Sequence, residues 1–214
     1  MARVLIFGST GEIGKACYET FETEGWEITK APRNFKWSST FGSFDAVVWA
    51  QGLNVTGPFS DASETVWDDV LEANLRFIIR TCRNLKINSA LKTNCSLVII
   101  SSIFEKVSRK QKTVYMVSKS ALSGLVRGLC VEFMDSRIRV NSVLPGVLNT
   151  QMSKTHLPQA LINEIATNSF GEKLIEPRQI ADIVLFLASE NSMAINGQAL
   201  VADGGWSNAS SFRD

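Results

Sequence analysis

Tyr115 and Lys119 stand four residues apart in a stretch, 114–134, whose apolar spacing predicts a helix, so the two side chains share one face. An ammonium group near a phenol favours the phenolate and draws a tyrosine down from about pKa 10 toward working pH. A tyrosine tuned this way can give a proton to a carbonyl oxygen or take one from a hydroxyl. Ser102 closes the apolar run 97–100, predicted as a central strand. At the carboxyl end of such a strand its hydroxyl can bond a reacting oxygen and stabilise charge there. A serine-nucleophile hydrolase is disfavoured. The sequence holds no Gly-x-Ser-x-Gly turn, and its single histidine, His156, lies in a polar segment.

A second group of residues suits a phosphate. Gly8-Ser9-Thr10-Gly11-Glu12-Ile13-Gly14 joins a predicted strand to a predicted helix. Glycines allow the tight turn and let backbone N–H groups approach a pyrophosphate seated on the helix N-terminus. A magnesium-binding P-loop does not fit, because five residues separate Gly8 from Gly14 and Lys15 is followed by Ala16 rather than a hydroxyl. At the end of the second strand an acidic residue would bind a free ribose 2′-hydroxyl and a basic one a 2′-phosphate. Between Ile28 and Phe44 there is no Asp or Glu, but Lys30, Arg33 and Lys36 are present, Arg33 lying 19 residues past Gly14. This favours NADP(H) over NAD(H).

The elements that must position these groups alternate. Strands are expected at 3–7, 26–29, 45–50, 97–100, 139–143 and 198–202, and helices at 12–24, 64–84, 114–134 and 179–189. Regular alternation implies an α/β fold, a Rossmann-like doubly wound parallel sheet in three layers. Ligands bind such sheets beyond the carboxyl ends of the strands, here just after 7, 50, 100 and 143. The 214 residues suit one domain, 1–214, with 150–178 as a lid over the substrate, given apolar faces by Met152, Leu157, Leu161, Ile162, Ile165 and Phe170.

Composition narrows the partners. Twenty-two basic against 21 acidic residues leave a net charge of +1, which offers no basic footprint for nucleic acid or a membrane surface. No apolar run approaches the roughly 18 residues of a membrane span, and the opening apolar stretch stops at Gly8 like a buried strand rather than a signal peptide. Cys17, Cys82, Cys95 and Cys130 form no Cys-x-x-Cys pair, so no metal site is expected. They read as small buried hydrophobes in a reducing compartment, the cytoplasm.

The ordered set Gly8, Gly11, Gly14, Asn74, Ser102, Tyr115-x-x-x-Lys119, Pro145-Gly146 and Asp203-Gly204-Gly205 resembles the short-chain dehydrogenase/reductase family in its compact single-domain, 3-oxoacyl reductase-like branch. Arg-Val-Asn-Ser-Val-Leu-Pro-Gly (139–146) and the segment 196–205 match it too. The resemblance implies hydride transfer between a nicotinamide cofactor and a small carbonyl or alcohol. Tyr115 would be the general acid or base. Lys119 would tune it and hold the nicotinamide ribose. Ser102 would polarise the carbonyl, and Asn74 would support a water relay to Lys119. Ala50, Gln51 and Gly52, with Pro145 and Gly146, would border the cofactor, and Val147 and Thr150 would contact its amide and phosphates. A homodimer or homotetramer is implied as well, through the helices at 64–84 and 114–134 and the C-terminal segment.

Some residues depart from the family pattern. The glycines are spaced three and three, as in the extended branch, Phe7 replaces a threonine, and Ala50-Gln51-Gly52 replaces Asn-Ala-Gly. Only 11 residues, 34–44, separate Arg33 from Asp45, where the family places a helix, a strand and another helix. The region between strands two and four is therefore shortened, with room for one short third strand at 35–37, and the usual adenine-contacting Asp has no counterpart. Two alternatives follow from these departures: a dinucleotide-binding sensor or scaffold without turnover, and an epimerase or dehydratase of the extended branch.

Overall fold

A computed structural model describes residues 1–32 and 34–209. The chain runs β1 (Arg3–Phe7), α1 (Glu12–Thr23), β2 (Glu27–Ala31), β3 (Phe44–Trp49), α2 (Glu64–Leu71), α3 (Phe77–Ile87), β4 (Leu91–Ile100), α4 (Thr113–Glu132), β5 (Arg139–Pro145), α5 (Gln151–His156), α6 (Gln159–Thr167), α7 (Pro177–Ala188) and β6 (Ala199–Ala202). All strand pairs are parallel, in the order β2-β1-β3-β4-β5-β6. The expected doubly wound α/β sheet is present. No separate substrate domain follows β5 among the described residues; α5 packs on α6, and α7 packs back on the same sheet.

The apolar runs of β1 and β3 are buried on both faces, which is why they read as continuous rather than alternating. Val4, Ile6, Ala46 and Val48 pack with Cys17, Phe21, Ile180 and Val184 of α1 and α7. Leu5, Phe7, Val47 and Trp49 pack on the other side with Ile78, Leu85, Leu122 and Val126 of α3 and α4. The 139–146 and 196–205 motifs hold each other. Asn141 donates to the Ile195 carbonyl at 2.9 Å and accepts from the Gln198 N–H at 2.9 Å. The Arg139 guanidinium donates to the carbonyls of Leu187, Ser189 and Ser192, all at 3.0 Å.

Two expectations are corrected. The segment 35–37 is not a strand, so the sheet ends on β2. Its aromatics pack under the sheet instead. Phe35 meets Phe7 edge-on at 5.1 Å, Trp37 meets Phe44 at 6.4 Å, and Phe7 stacks on Trp49 at 5.6 Å. Three rings, Phe35, Trp37 and Phe41, thus cover sheet surface in place of a helix. Arg3 pins the loop through the carbonyls of Ser43 and Phe41, at 3.0 and 2.9 Å. The helix expected at 64–84 is also not continuous. A π-helical turn, Glu72–Arg76, separates α2 from α3, and the buried Asn74 sits inside it.

Candidate active site

A cavity of about 710 Å³ opens beyond the carboxyl ends of β1, β3, β4 and β5. Most of the residues marked by sequence meet there: Gly8, Ser9, Thr10, Gly11, Glu12, Ile13, Ala50, Gln51, Gly52, Ser102, Tyr115, Lys119, Pro145, Gly146, Val147 and Thr150 line it. Gly14 and Asn74 stand just behind the wall. Arg33 lies outside the described residues.

The glycine turn is a cradle without spare room. Gly8 has φ +77°, and a Cβ there would come 2.5 Å from the Gln51 nitrogen; a Cβ on Gly14 would come 2.1 Å from the Gly8 carbonyl oxygen. Side chains are excluded by contact as well as by backbone conformation. Gly11 caps α1 with no side-chain hydrogen bond, so the N–H groups of the first turn are left facing the cavity. These residues fit a pyrophosphate. Glu12, next in line, accepts the Gln151 N–H with both carboxylate oxygens, at 3.1 and 3.0 Å, and ties α5 to this turn.

The residues expected to handle a proton lie just after β4 and on α4. Ser102 follows β4 and accepts the Phe104 N–H at 3.2 Å, and its hydroxyl stands near the Tyr115 phenol. Burial pushes the Tyr115 phenol above its ordinary value, with the neighbouring Ser102 hydroxyl acting the other way. This corrects the expectation that Lys119 draws the phenol down. The Lys119 ammonium is 5.8 Å from the Tyr115 ring and donates to the Ile100 carbonyl at 2.9 Å. Burial lowers Lys119 to about 8, opposed by the Glu105 carboxylate. Without a direct bond between them, desolvation dominates at both groups and each leans toward its neutral form.

Asn74 works through its neighbours. Its Oδ1 accepts the Leu53 N–H at 2.7 Å, and its Nδ2 donates to the Leu53 carbonyl and to Ser118 Oγ, both at 2.9 Å. Ser118 donates in turn to the Tyr115 carbonyl at 2.7 Å. No hydrogen bond joins Asn74 to Lys119 among the described residues. Gly52 lies between them, since a Cβ there would come 3.3 Å from Asn74 Oδ1 and 3.5 Å from Lys119 Nζ. The π turn thus aims a carboxamide at the 52–53 backbone and at the first turns of α4.

Of the residues expected to give 150–178 its apolar faces, only some reach the cavity. Met152 and Leu157 line the cavity, but Ile162 and Ile165 are buried without lining it and Phe170 is 90% exposed. Thr150 caps α5 by accepting the Ser153 N–H at 3.2 Å. Sequence reading missed Lys112, which is almost wholly buried, lines the cavity, and lies 5.8 Å from the Tyr115 ring. It donates to Asn54 Oδ1 at 2.7 Å and to the Val55 carbonyl at 3.2 Å, and burial beside Arg109 lowers it to about 8. Its position three residues before Tyr115, on the same helix face, is the signal that could have found it. His156 also lines the cavity. Among the described residues no group of His, Cys, Asp and Glu could hold a metal ion.

A family model described as Enoyl-(Acyl carrier protein) reductase matches residues 34–207. The uncharacterized oxidoreductase YmfI of Bacillus subtilis is 28% identical over 236 aligned positions, covering 94% of this chain and 97% of that protein. The 3-oxoacyl-(acyl-carrier-protein) reductase FabG of Chlamydia trachomatis is 31% identical, over 95% of this chain and 87% of its own length. Among solved structures, 4-hydroxyisoleucine dehydrogenase complexed with NADH superposes with a TM-score of 0.85 at 23% identity, over 97% of this chain and 99% of that one.

Proposed function

The chain belongs to the short-chain dehydrogenase/reductase family, and on that footing we propose that it transfers a hydride between NADP(H) and a small carbonyl or alcohol substrate, with Tyr115 as the acid or base. One observation carries the reading: Tyr115 and Ser102 line the same cavity as the Gly8–Ile13 turn. The dinucleotide, when bound, supplies or accepts the hydride.

The protein's residues do the rest. Ser102 holds the substrate oxygen next to the phenol and helps carry its developing charge. Tyr115, kept protonated by burial, gives its proton to that oxygen in reduction and takes one back in oxidation. Lys119 brings a positive charge beside the phenol and a donor for the ribose. Asn74 keeps the 52–53 backbone and α4 in place around them. Pro145, Gly146, Val147 and Thr150 form the wall on which the nicotinamide half rests, and Met152 and Leu157 offer the substrate an apolar cover.

NADP(H) is preferred on this reading because the end of β2, where Ala31 and Pro32 line the cavity, carries no carboxylate to repel a 2′-phosphate, and Arg33 follows. The chain acts as a homodimer or homotetramer. Ile79 and Ile87 stand exposed beside an apolar groove between α3 and α4, floored by Leu125, Leu129 and Phe133. It works in the cytoplasm, in keeping with free cysteines at 17, 82, 95 and 130.

Tyr115→Phe tests the assignment. With a panel of ketones and NADPH, its turnover is expected to fall at least about 10²-fold, the lower range for loss of an acid–base group, while NADPH still binds. A variant with normal rates refutes the role. Arg33→Ala tests the cofactor: the wild type is expected to bind NADPH more tightly than NADH, and the variant to lose most of that preference. An unchanged ratio removes Arg33 from the argument.

A further inference from the structure

Gln51 presents a problem that the reaction above does not solve. Both polar atoms of its side chain, Oε1 and Nε2, are shielded from solvent and make no hydrogen bond in the protein. A buried carboxamide with neither half paired is destabilising, because both groups have given up water for nothing. Thr20, Glu105, Arg109, Arg139 and Ser142 carry unpaired shielded atoms too, but of these six residues Gln51 alone lines the cavity, into which a turn of its side chain would carry both halves of the carboxamide. The Gln51 backbone is wedged against the glycine turn, 2.5 Å from where a Gly8 Cβ would stand.

Its surroundings say which part of a dinucleotide it meets. With the pyrophosphate on α1, the adenosine ribose lies toward the end of β2, the side of the cavity lined by Ala31 and Pro32. Gln51 follows β3, separated from β2 in the sheet by β1 alone. Beyond β2 the sheet stops, and the chain that follows is the loop whose rings are turned under the sheet. Among the described residues no further strand brings polar groups to this end of the cavity. Phe7 and Phe77 give it apolar walls suited to a flat base.

A carboxamide has one acceptor beside a donor. The adenine edge has the complementary pair, an exocyclic amino group beside a ring nitrogen that accepts, and asparagine and glutamine read adenine through two parallel bonds for this reason. A phosphate or a nicotinamide ribose calls for no such pairing. We infer that the Gln51 carboxamide is the residue that reads the adenine base of the cofactor, its Oε1 accepting from the amino group and its Nε2 donating to the adjacent ring nitrogen. Gln51 then stands in for contacts that a longer sheet would supply. The assignment rests on the dinucleotide reading above.

The test is equilibrium binding, followed by calorimetry and by thermal shift, with NADP⁺ and with its 1,N⁶-etheno analogue. The etheno bridge ties the exocyclic nitrogen to ring N1, so it removes the amino hydrogens that Oε1 would accept on either edge of the base. The variants are Gln51→Met, which keeps length without hydrogen bonding, and Gln51→Glu, which keeps shape but loses the donor. The wild type is expected to prefer the adenine form by about 10-fold or more, the range of a two-bond base contact. Gln51→Met is expected to bind both forms within about 3-fold of each other, and Gln51→Glu to weaken on the adenine form. Without ligand, Gln51→Met should melt higher than the wild type, since it removes an unpaired buried amide, and its ligand-induced shift should be smaller. A merely structural glutamine would not separate these two readouts. If Gln51→Met keeps the wild-type preference for adenine, this inference fails and the dinucleotide reading stands. If the wild type binds neither dinucleotide, both fall together.

Discussion

Two buried ammonium groups flank one phenol, each 5.8 Å from its ring, and burial lowers both to about 8. Lys119 faces the reacting groups; Lys112 holds the 54–55 loop against the start of α4. Its charge has a measurable cost. In the unfolded chain a lysine keeps its proton to about 10.4, so between pH 8 and that value the unfolded state binds more protons than the folded one. Stability from this group therefore rises with pH across that window and is fully lost below it. Lys112→Met removes the linkage while leaving every other titrating group in place. The difference in melting temperature, wild type minus Lys112→Met, is expected to grow in favour of the wild type as pH rises from about 7.5 to 10. A difference that stays flat would mean that Lys112 titrates as a solvated amine. Tyr115 and Lys119 were legible at this scale because i, i+4 spacing carries its own meaning. The raised phenol was not, because desolvation depends on what the fold stacks around the ring.

At the scale of elements, the strands with continuous apolar runs could be read directly, since burial on both faces leaves no room for polar residues. The helix at 64–84 was legible in extent but not in its break. A π turn costs one extra residue and leaves the apolar spacing nearly unchanged, so nothing in the pattern marks Asn74 as the residue it buries. The segment 34–43 misled for a different reason. Phe35 and Trp37 have strand-like types and alternation, but no partner strand is in reach and rings can cover a sheet without joining it. The lid element has one anchor that spacing could not reveal. Glu12 and Gln151 are 139 residues apart and meet across the cavity mouth. α5 has six residues, too short to hold itself as a helix. Glu12→Ala is therefore expected to speed hydrogen exchange of the 151–157 amides about 10-fold or more, the effect of losing a charge-assisted bond, with β1 and β4 unchanged. Equal protection in variant and wild type would show that the Thr150 cap and packing hold α5 without the Glu12 bond.

At the scale of the whole molecule, the two covered faces of the sheet leave one apolar surface unaccounted for. α3 turns Ile78, Cys82 and Leu85 into the core and still exposes Ile79 and Ile87, at 42% and 62%. A helix that packs on one sheet needs a single apolar stripe; a second stripe on its outer side, rimmed by Arg83 and Lys86, suits a copy of itself related by a two-fold axis. On the proposed reading one rod would serve both assembly and chemistry, because α4 carries Tyr115 and Lys119 in its first two turns and the groove in its last two. Light scattering is expected to give at least twice the chain mass for the wild type. Ile79→Glu buries a charge in that seam, and it is expected to halve the mass and lower the melting temperature while the monomer keeps dinucleotide binding, since the cavity lies at the opposite end of α4. A wild type that is monomeric at about 10 μM, a concentration at which a specific interface of ordinary size is formed, would leave the exposed isoleucines unexplained and remove the symmetric pairing from the proposal.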